Sequence, residues 1–172
     1  NKKEGLINFR TVSYILGILV LVEAGLFAIC AGISAFYHEN SYIYFVWTMS
    51  MNIGIGGIMV LAGNRRCNNI SRRDGYYIVS ISWILFTLLG MLPFYLSGYI
   101  PSITDAFFET MSGFTTTGAT ILNNIESLPH GLLFWRSFTQ WIGGLGIVLF
   151  TIALLHYSTV AASSSFCQRL QE

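Results

Sequence analysis

The sequence predicts an all-α integral membrane protein with four transmembrane helices and one short re-entrant helix. The 172 residues are 53% hydrophobic and 10% charged, whereas soluble domains carry about 25% charged residues. The apolar residues are gathered into four segments, each long enough to cross a hydrocarbon core of about 30 Å as a helix. These segments are 12–36, 42–63, 76–97 and 132–157.

The basic residues indicate how these segments are oriented. Of nine Lys and Arg residues, eight lie before the first segment, between the second and third, or after the fourth, and only Arg136 lies elsewhere, at the start of the fourth segment. Loops with an excess of Lys and Arg stay on the cytoplasmic side of a membrane. Both termini are therefore predicted to be cytoplasmic, and the connection at 97–131 to lie outside. The net charge of +1 does not favour a nucleic-acid partner.

The connection between the third and fourth segments contains a short amphipathic helix signal. Ser102 suits the N-cap position, with Asp105 three residues later as its capping-box partner, and Gly113 suits the C-terminal end. Residues 103–113 form about 16 Å of helix, roughly half of the hydrocarbon thickness. The C-terminal end of a helix carries about half a negative charge. A half-length helix that enters from outside directs this end to the membrane centre, where it stabilises a cation, and we therefore predict a re-entrant pore helix.

A Thr- and Gly-rich run, TTTGAT at 115–120, follows this helix. Its backbone can supply a column of carbonyl oxygens, and potassium ions bind where carbonyl oxygens replace the hydration shell. Gly118 permits a positive φ without a Cβ penalty, so that consecutive carbonyls can face one axis. The alternative is a Thr-rich extracellular turn. The half-length helix and the flanking segments favour a filter loop, and with it cation permeation.

Three further residues carry weaker predictions. Glu23, the only charge within the first segment, is either hydrogen-bonded in a helix interface or a functional ionisable group. Arg136 is expected to be an interfacial residue or the partner of Glu109 or Glu126, with a direct role in conduction as the alternative. Pro93 is expected to kink the third segment.

The sequence offers no pattern for covalent chemistry. The cysteines and histidines are spaced too widely for a zinc site or a disulfide framework, and no Ser/His/Asp or paired-carboxylate arrangement has a credible geometry. We therefore predict that the chain is not an enzyme and needs no cofactor, a potassium ion being its cargo. The residues concerned are Cys30, Cys67, Cys167, His38, His130 and His156.

Three stretches of the chain resemble the TrkH/Ktr-type potassium-uptake proteins. They are RRDGY at 72–76, FFETMSGFTTTGA at 107–119 and LLFWRSFTQWIGGLG at 132–146. The resemblance implies that the first two segments are the extra N-terminal helix pair of the TrkH branch, and that the third and fourth, with the loop, are its first M1–P–M2 repeat. It places the family's filter glycine at Gly118 and the potassium-coordinating carbonyls at Thr115, Thr116, Thr117 and Gly118.

The resemblance also implies boundaries and partners. Residues 1–74 correspond to the helix pair and a cytoplasmic loop, 75–157 to the repeat, and 158–172 depart from the family as an atypical cytoplasmic tail. Family members carry four repeats around one pore, so we expect a truncated fragment. The alternatives are a small subunit that assembles into a tetrameric cation channel and a non-conducting membrane assembly protein. For the complete protein the resemblance implies a bacterial inner-membrane location, a cytosolic nucleotide-binding regulatory subunit and a homodimer partner.

Overall fold

The computed structural model describes residues 9–63 and 72–169, with side chains described at 9–63, 75–148 and 151–152. Every regular element in these residues is a helix. They are α1 (Phe9–Phe36), α2 (Tyr42–Ala62), α3 (Arg72–Gly90), α4 (Leu92–Leu96), α5 (Ile103–Phe114), a 3₁₀ turn (Ile125–Ser127) and α6 (His130–Arg169). The basic residues Lys2, Lys3, Arg65 and Arg66, and Cys67, lie outside the described residues.

Three of the predicted spans are confirmed as helices long and apolar enough to cross a membrane: Phe9–Phe36, Tyr42–Ala62 and Gly75–Leu96. The fourth predicted segment lies inside α6, which continues past Tyr157 to Arg169. The sequence contains neither Gly nor Pro between residues 158 and 169, so the strongest local signals that end a helix are missing there.

Helices α1 and α2 form a closely packed hairpin. A Cβ on Gly17 would lie 2.9 Å from the carbonyl oxygen of Gly56, and a Cβ on Gly56 would lie 3.0 Å from the carbonyl oxygen of Gly17. Neither position has room for a larger side chain, so the two backbones approach each other directly. Ser13 adds a hydroxyl that donates to the carbonyl of Met59 at 3.1 Å. Small residues at a helix contact are typical of membrane proteins, where close packing drives helix association.

The main core packs residues of α1, α2, α4, α5 and α6 around one indole ring. Trp135 of α6 is fully buried and lies 4.4 Å, centroid to centroid, from Phe27 of α1. Phe114, the last residue of α5, packs edge-on against the same indole at 6.3 Å. Phe45 of α2 and Phe94 of α4 belong to the same cluster. The hairpin therefore packs against the elements around α5.

The third predicted segment is interrupted at Met91, two residues before Pro93, as the sequence predicts. Because proline lacks an N–H and its ring clashes with the preceding turn, the α-helical ladder cannot continue there. In a regular helix the N–H of Phe94 would bond to the carbonyl of Gly90, but it bonds to Met91 instead. The carbonyl of Gly90 accepts the indole N–H of buried Trp135 at 2.9 Å. The break is thus stabilised by a hydrogen bond from α6.

The short helix predicted at 103–113 is present as α5, and the N-cap prediction is confirmed because the hydroxyl of Ser102 accepts from the N–H of Asp105 at 3.4 Å. The helix ends at Phe114, one residue later than predicted. Gly113 does not end the helix; a Cβ there would collide with the hydroxyl of Thr139 on α6. Its small size permits α5 and α6 to pack together.

The turn at 37–41 is joined to the start of α6 by Glu39. Its carboxylate accepts from the N–H of His130 at 2.8 Å and from the N–H of Gly131 at 3.3 Å, and it meets the His130 ring at 2.8 Å. Burial alone would raise the pKa of Glu39, but these bonds and one from Ser41 outweigh it and lower the pKa below its usual value. The carboxylate satisfies N–H groups at the α6 N-terminus.

Candidate ion-binding loop

The loop that follows α5 begins by turning back onto its own helix. The N–H groups of Thr115, Thr116 and Thr117 donate to the carbonyls of Met111, Gly113 and Ser112, at 2.9, 3.0 and 3.1 Å. The hydroxyl of Thr115 also donates to the carbonyl of Met111, at 2.8 Å. The N–H groups at the start of the loop therefore bind it to the end of α5.

The carbonyls at 115–118, unlike these N–H groups, form no hydrogen bond among the described residues. Among the hydrogen bonds of the described residues, none has the carbonyl of Thr115, Thr116, Thr117 or Gly118 as its acceptor. The next carbonyl, that of Ala119, accepts from the hydroxyl of Ser112 at 2.6 Å. The residues of the run are exposed on the surface of this chain. Four consecutive carbonyls therefore have no hydrogen-bond donor among the described residues, whereas the fifth is bonded within the chain.

Two residues of the loop have left-handed backbone conformations. Gly118 has φ 75°, which confirms the positive φ predicted from its lack of a Cβ. Thr116 has φ 57°, which the sequence did not predict, and which is rare for a β-branched residue. Such a conformation costs about 1–3 kcal/mol and persists only where surrounding bonds impose it. The N–H bonds of Thr116 and Thr117 to the end of α5 do so here.

The far end of the loop is held by Glu109 of α5. This carboxylate, buried to 3% exposure, accepts from the hydroxyl of Thr120 at 3.0 Å and from the N–H of Ile121 at 3.1 Å. It also accepts from Nε of Arg136 at 2.6 Å. Of the two partners predicted for Arg136, Glu109 is therefore confirmed. The ion pair connects α5, the loop and α6.

Helix α6 forms the surface behind the loop. A Cβ on Gly143 would collide with the backbone carbonyl of Phe114, so α6 lies directly against the end of α5. Gln140, one turn earlier on α6, places its side-chain amide nitrogen 3.6 Å from where a Cβ on Gly118 would lie. Helix α6 therefore lies against the end of α5 and close to the loop at Gly118.

The sequence located this loop but not all of the residues that hold it. The roles of Ser112 and Thr120 were not predicted, because a hydroxyl contact seven or eleven residues away leaves no local sequence signal. Glu109 was considered only as a partner of Arg136. A carboxylate on a half-length apolar helix was the available signal, since such groups require partners inside a membrane.

The family profile described as "TrkH: Cation transport protein" matches residues 41–172. The chain belongs to this family. It is 37% identical over 149 residues to the Trk system potassium uptake protein TrkH of Salmonella typhimurium, covering 86% of this chain and 31% of that protein. It is also 37% identical over 152 residues to an uncharacterized cation transporter of Methanocaldococcus jannaschii, covering 87% of this chain and 31% of that protein.

A solved TrkH structure has the same fold. The crystal structure of the potassium transporter TrkH from Vibrio parahaemolyticus is similar with a TM-score of 0.80 and 34% identity, covering 86% of this chain and 32% of the other. The chain thus spans about a third of the length of the TrkH proteins that it matches. Members of this family are membrane cation transport proteins, and the three membrane-capable helices fit that class.

Proposed function

We propose that this chain supplies one quarter of the ion pathway of a potassium transporter, and that the carbonyls of Thr115, Thr116, Thr117 and Gly118 coordinate the ion. The observation that carries the proposal is the contrast within the loop: these four carbonyls accept no hydrogen bond among the described residues, whereas the flanking groups are bonded. Carbonyl oxygens that replace a hydration shell are the ligands of potassium in selective pores.

The position of α5 supports the same proposal. The helix ends at Phe114, immediately before the four carbonyls, and the C-terminal end of a helix carries about half a negative charge. A cation bound at the loop is stabilised by this charge without needing a carboxylate ligand. Glu109, the nearest acidic residue of α5, is neutralised by Arg136. It serves in this proposal as a positioning residue that holds the loop.

The remaining parts of the proposal concern the membrane and the assembly. We place the chain in a cell membrane with both termini cytoplasmic, α5 entering from outside, and α6 as the fourth span. The pore requires further filter loops, consistent with relatives about three times as long as this chain. The proposal also includes a cytosolic nucleotide-binding subunit and a second copy of the chain, as the family resemblance implies.

Gly118→Ala tests the assigned ligands. Alanine at φ 75° is strained, while its Cβ would have only an ordinary contact, 3.6 Å from Gln140. The variant therefore changes the backbone of the loop and little else. We expect uptake of potassium or rubidium to lose selectivity over sodium by about tenfold, the equivalent of roughly 1.4 kcal/mol in relative binding. The protein is expressed from its own gene in bacteria that lack other potassium-uptake systems.

Gly98→Ala is the matched control. Gly98 has φ 76° and nothing within 4 Å of its Cβ position, so the substitution imposes the same local strain outside the loop. It should leave selectivity unchanged. Equal selectivity in both variants and the unmodified protein, at equal membrane abundance, would show that the loop is a packed turn and that the proposed ligands are wrong.

A further inference from the structure

Glu23 lies in the middle of α1 with little to compensate a negative charge. The side chain is 2% exposed, and its one hydrogen-bond partner among the described residues is the side-chain amide of Asn52, at 3.4 Å. The other carboxyl oxygen, Oε1, has no partner in the described part of the chain. Asn52, fully buried in the middle of α2, likewise has an unpartnered oxygen, Oδ1.

The described groups that the structure places near this carboxyl are uncharged. Oε1 lies 3.2 Å from where a Cβ on Gly90 would be, at the break between α3 and α4, and that same point is 3.2 Å from side-chain carbons of Thr110 and Phe114 on α5. From α6, the nearby indole of Trp135 donates to the carbonyl of Gly90. Arg136, also on α6, forms an ion pair with Glu109.

We propose that Glu23 is a proton-binding site, and that its carboxyl is neutral in the folded protein at neutral pH. Both partnerless atoms of the pair, Glu23 Oε1 and Asn52 Oδ1, are acceptors. The amide nitrogen of Asn52 donates to the other carboxyl oxygen, but no described group donates to these two oxygens. A proton on the carboxyl supplies such a donor while removing a buried charge. An isolated charge in an apolar interior is far less favourable than its neutral form. The proton comes from hydronium in solution: one O–H bond of hydronium breaks as the carboxyl O–H bond forms, and water is released.

The site has a defined place in the fold. Glu23 of α1 is hydrogen-bonded to Asn52 of α2 and lies beside the break between α3 and α4. Loss of the proton would place an unpaired negative charge behind Thr110 and Phe114, on the helix that carries the candidate ion-binding loop. The chemistry proposed is binding of a single proton, and it does not depend on which ion the loop binds.

Infrared difference spectroscopy of the full protein in lipid tests the proposal. A neutral carboxylic acid absorbs in a region separate from a carboxylate, so subtracting the spectrum of Glu23→Gln from that of the unmodified protein at neutral pH should reveal one carboxylic-acid band. Glu23→Met, which keeps the length of the side chain, should remove the same band if the glutamine variant does not accumulate. A carboxylate band in its place would overturn the proposal.

Glu109→Gln and Glu39→Gln are the controls, because these carboxylates are bonded to Arg136 and to the start of α6, respectively. Their subtractions should lack a carboxylic-acid band. Thermal unfolding gives a second measurement: since Gln is a neutral analogue of protonated Glu, Glu23→Gln should melt within about 3 °C of the unmodified protein. A larger fall would indicate that the charge is required, and would contradict the proposal.

Discussion

Two buried glutamates near α5 differ in what surrounds them. Glu109, on the helix, accepts from a guanidinium, a hydroxyl and a backbone N–H, and so holds α5, the loop and α6 together. Glu23, on α1, has one long bond to an amide and an unpartnered oxygen among the described residues. The two are almost equally buried, at 3% and 2% exposure. Burial alone therefore does not determine the role of these carboxylates; the donors that surround each of them do.

The largest effect is expected from breaking the well-bonded site. Arg136→Met leaves the carboxylate of Glu109 buried without its cation, and removal of one partner of a buried ion pair costs about 3–5 kcal/mol. We expect a melting temperature lower by about 10 °C and a large loss of potassium uptake, because the far end of the loop is released. Thermal unfolding in detergent and rubidium uptake measure the two effects.

The double variant Glu109→Gln with Arg136→Met separates the charge from the packing. It removes both charges, so most of the lost stability should return, as neutral replacements of buried pairs often restore it. Transport should recover less than stability, since Gln holds Thr120 and Ile121 more weakly than a carboxylate does. A double variant no more stable than Arg136→Met would show that the charge pair is not what holds this region.

A smaller effect is expected from the packing of α6 against the same region. In Gly143→Ala the added Cβ meets the backbone carbonyl of Phe114, which cannot rotate away as a side chain can. The helix must shift, at a cost of about 2–3 kcal/mol, and selectivity should change because Phe114 precedes the loop. Gly144→Ala is the adjacent control, since its Cβ would lie 3.9 Å from a methyl of Thr116. Equal melting temperatures for the two variants would exclude this close contact.

Local sequence signals predicted the elements that depend on one residue or one segment. Ser102 as a cap, Pro93 at a helix break and Gly118 at a positive φ each follow from the chemistry of that residue. The apolar segments were visible because a membrane requires long continuous runs. Arg136 was predicted to be an interfacial residue or the partner of Glu109 or Glu126, and only the fold selects Glu109.

The features that the sequence did not predict depend on contacts distant along the chain. Glu39 and His130 are 91 positions apart, and nothing near either residue indicates the other. The left-handed φ of Thr116 is imposed by bonds to α5, against the preference of threonine itself. The length of α6 beyond Tyr157 was hidden by a loss of amphipathic pattern. An amphipathic pattern ends where the apolar and polar faces of a helix are no longer distinct, whereas the helix itself ends where its backbone hydrogen bonds end.

The smallest effect is expected at Glu39, a third carboxylate, which has several donors but lies in the turn at 37–41, outside the helices. Its pKa in the folded protein lies below its usual value, since the hydrogen bonds from His130 and Gly131 outweigh burial. A carboxyl with a lowered folded pKa contributes stability that is fully present above its unfolded pKa, near 4.3, and that is lost as the pH falls through the folded value.

Glu39→Gln should therefore destabilise by about 1 kcal/mol at neutral pH, as loss of a helix cap does, and by progressively less in acid. Melting curves from pH 7 to pH 3 measure this convergence with the unmodified protein. Glu126→Gln, at an exposed carboxylate in the 3₁₀ turn, is the control and should run parallel to the unmodified protein. A constant difference between Glu39→Gln and the unmodified protein down to pH 3 would show that the lost stability does not come from the charge of Glu39, and would contradict this prediction.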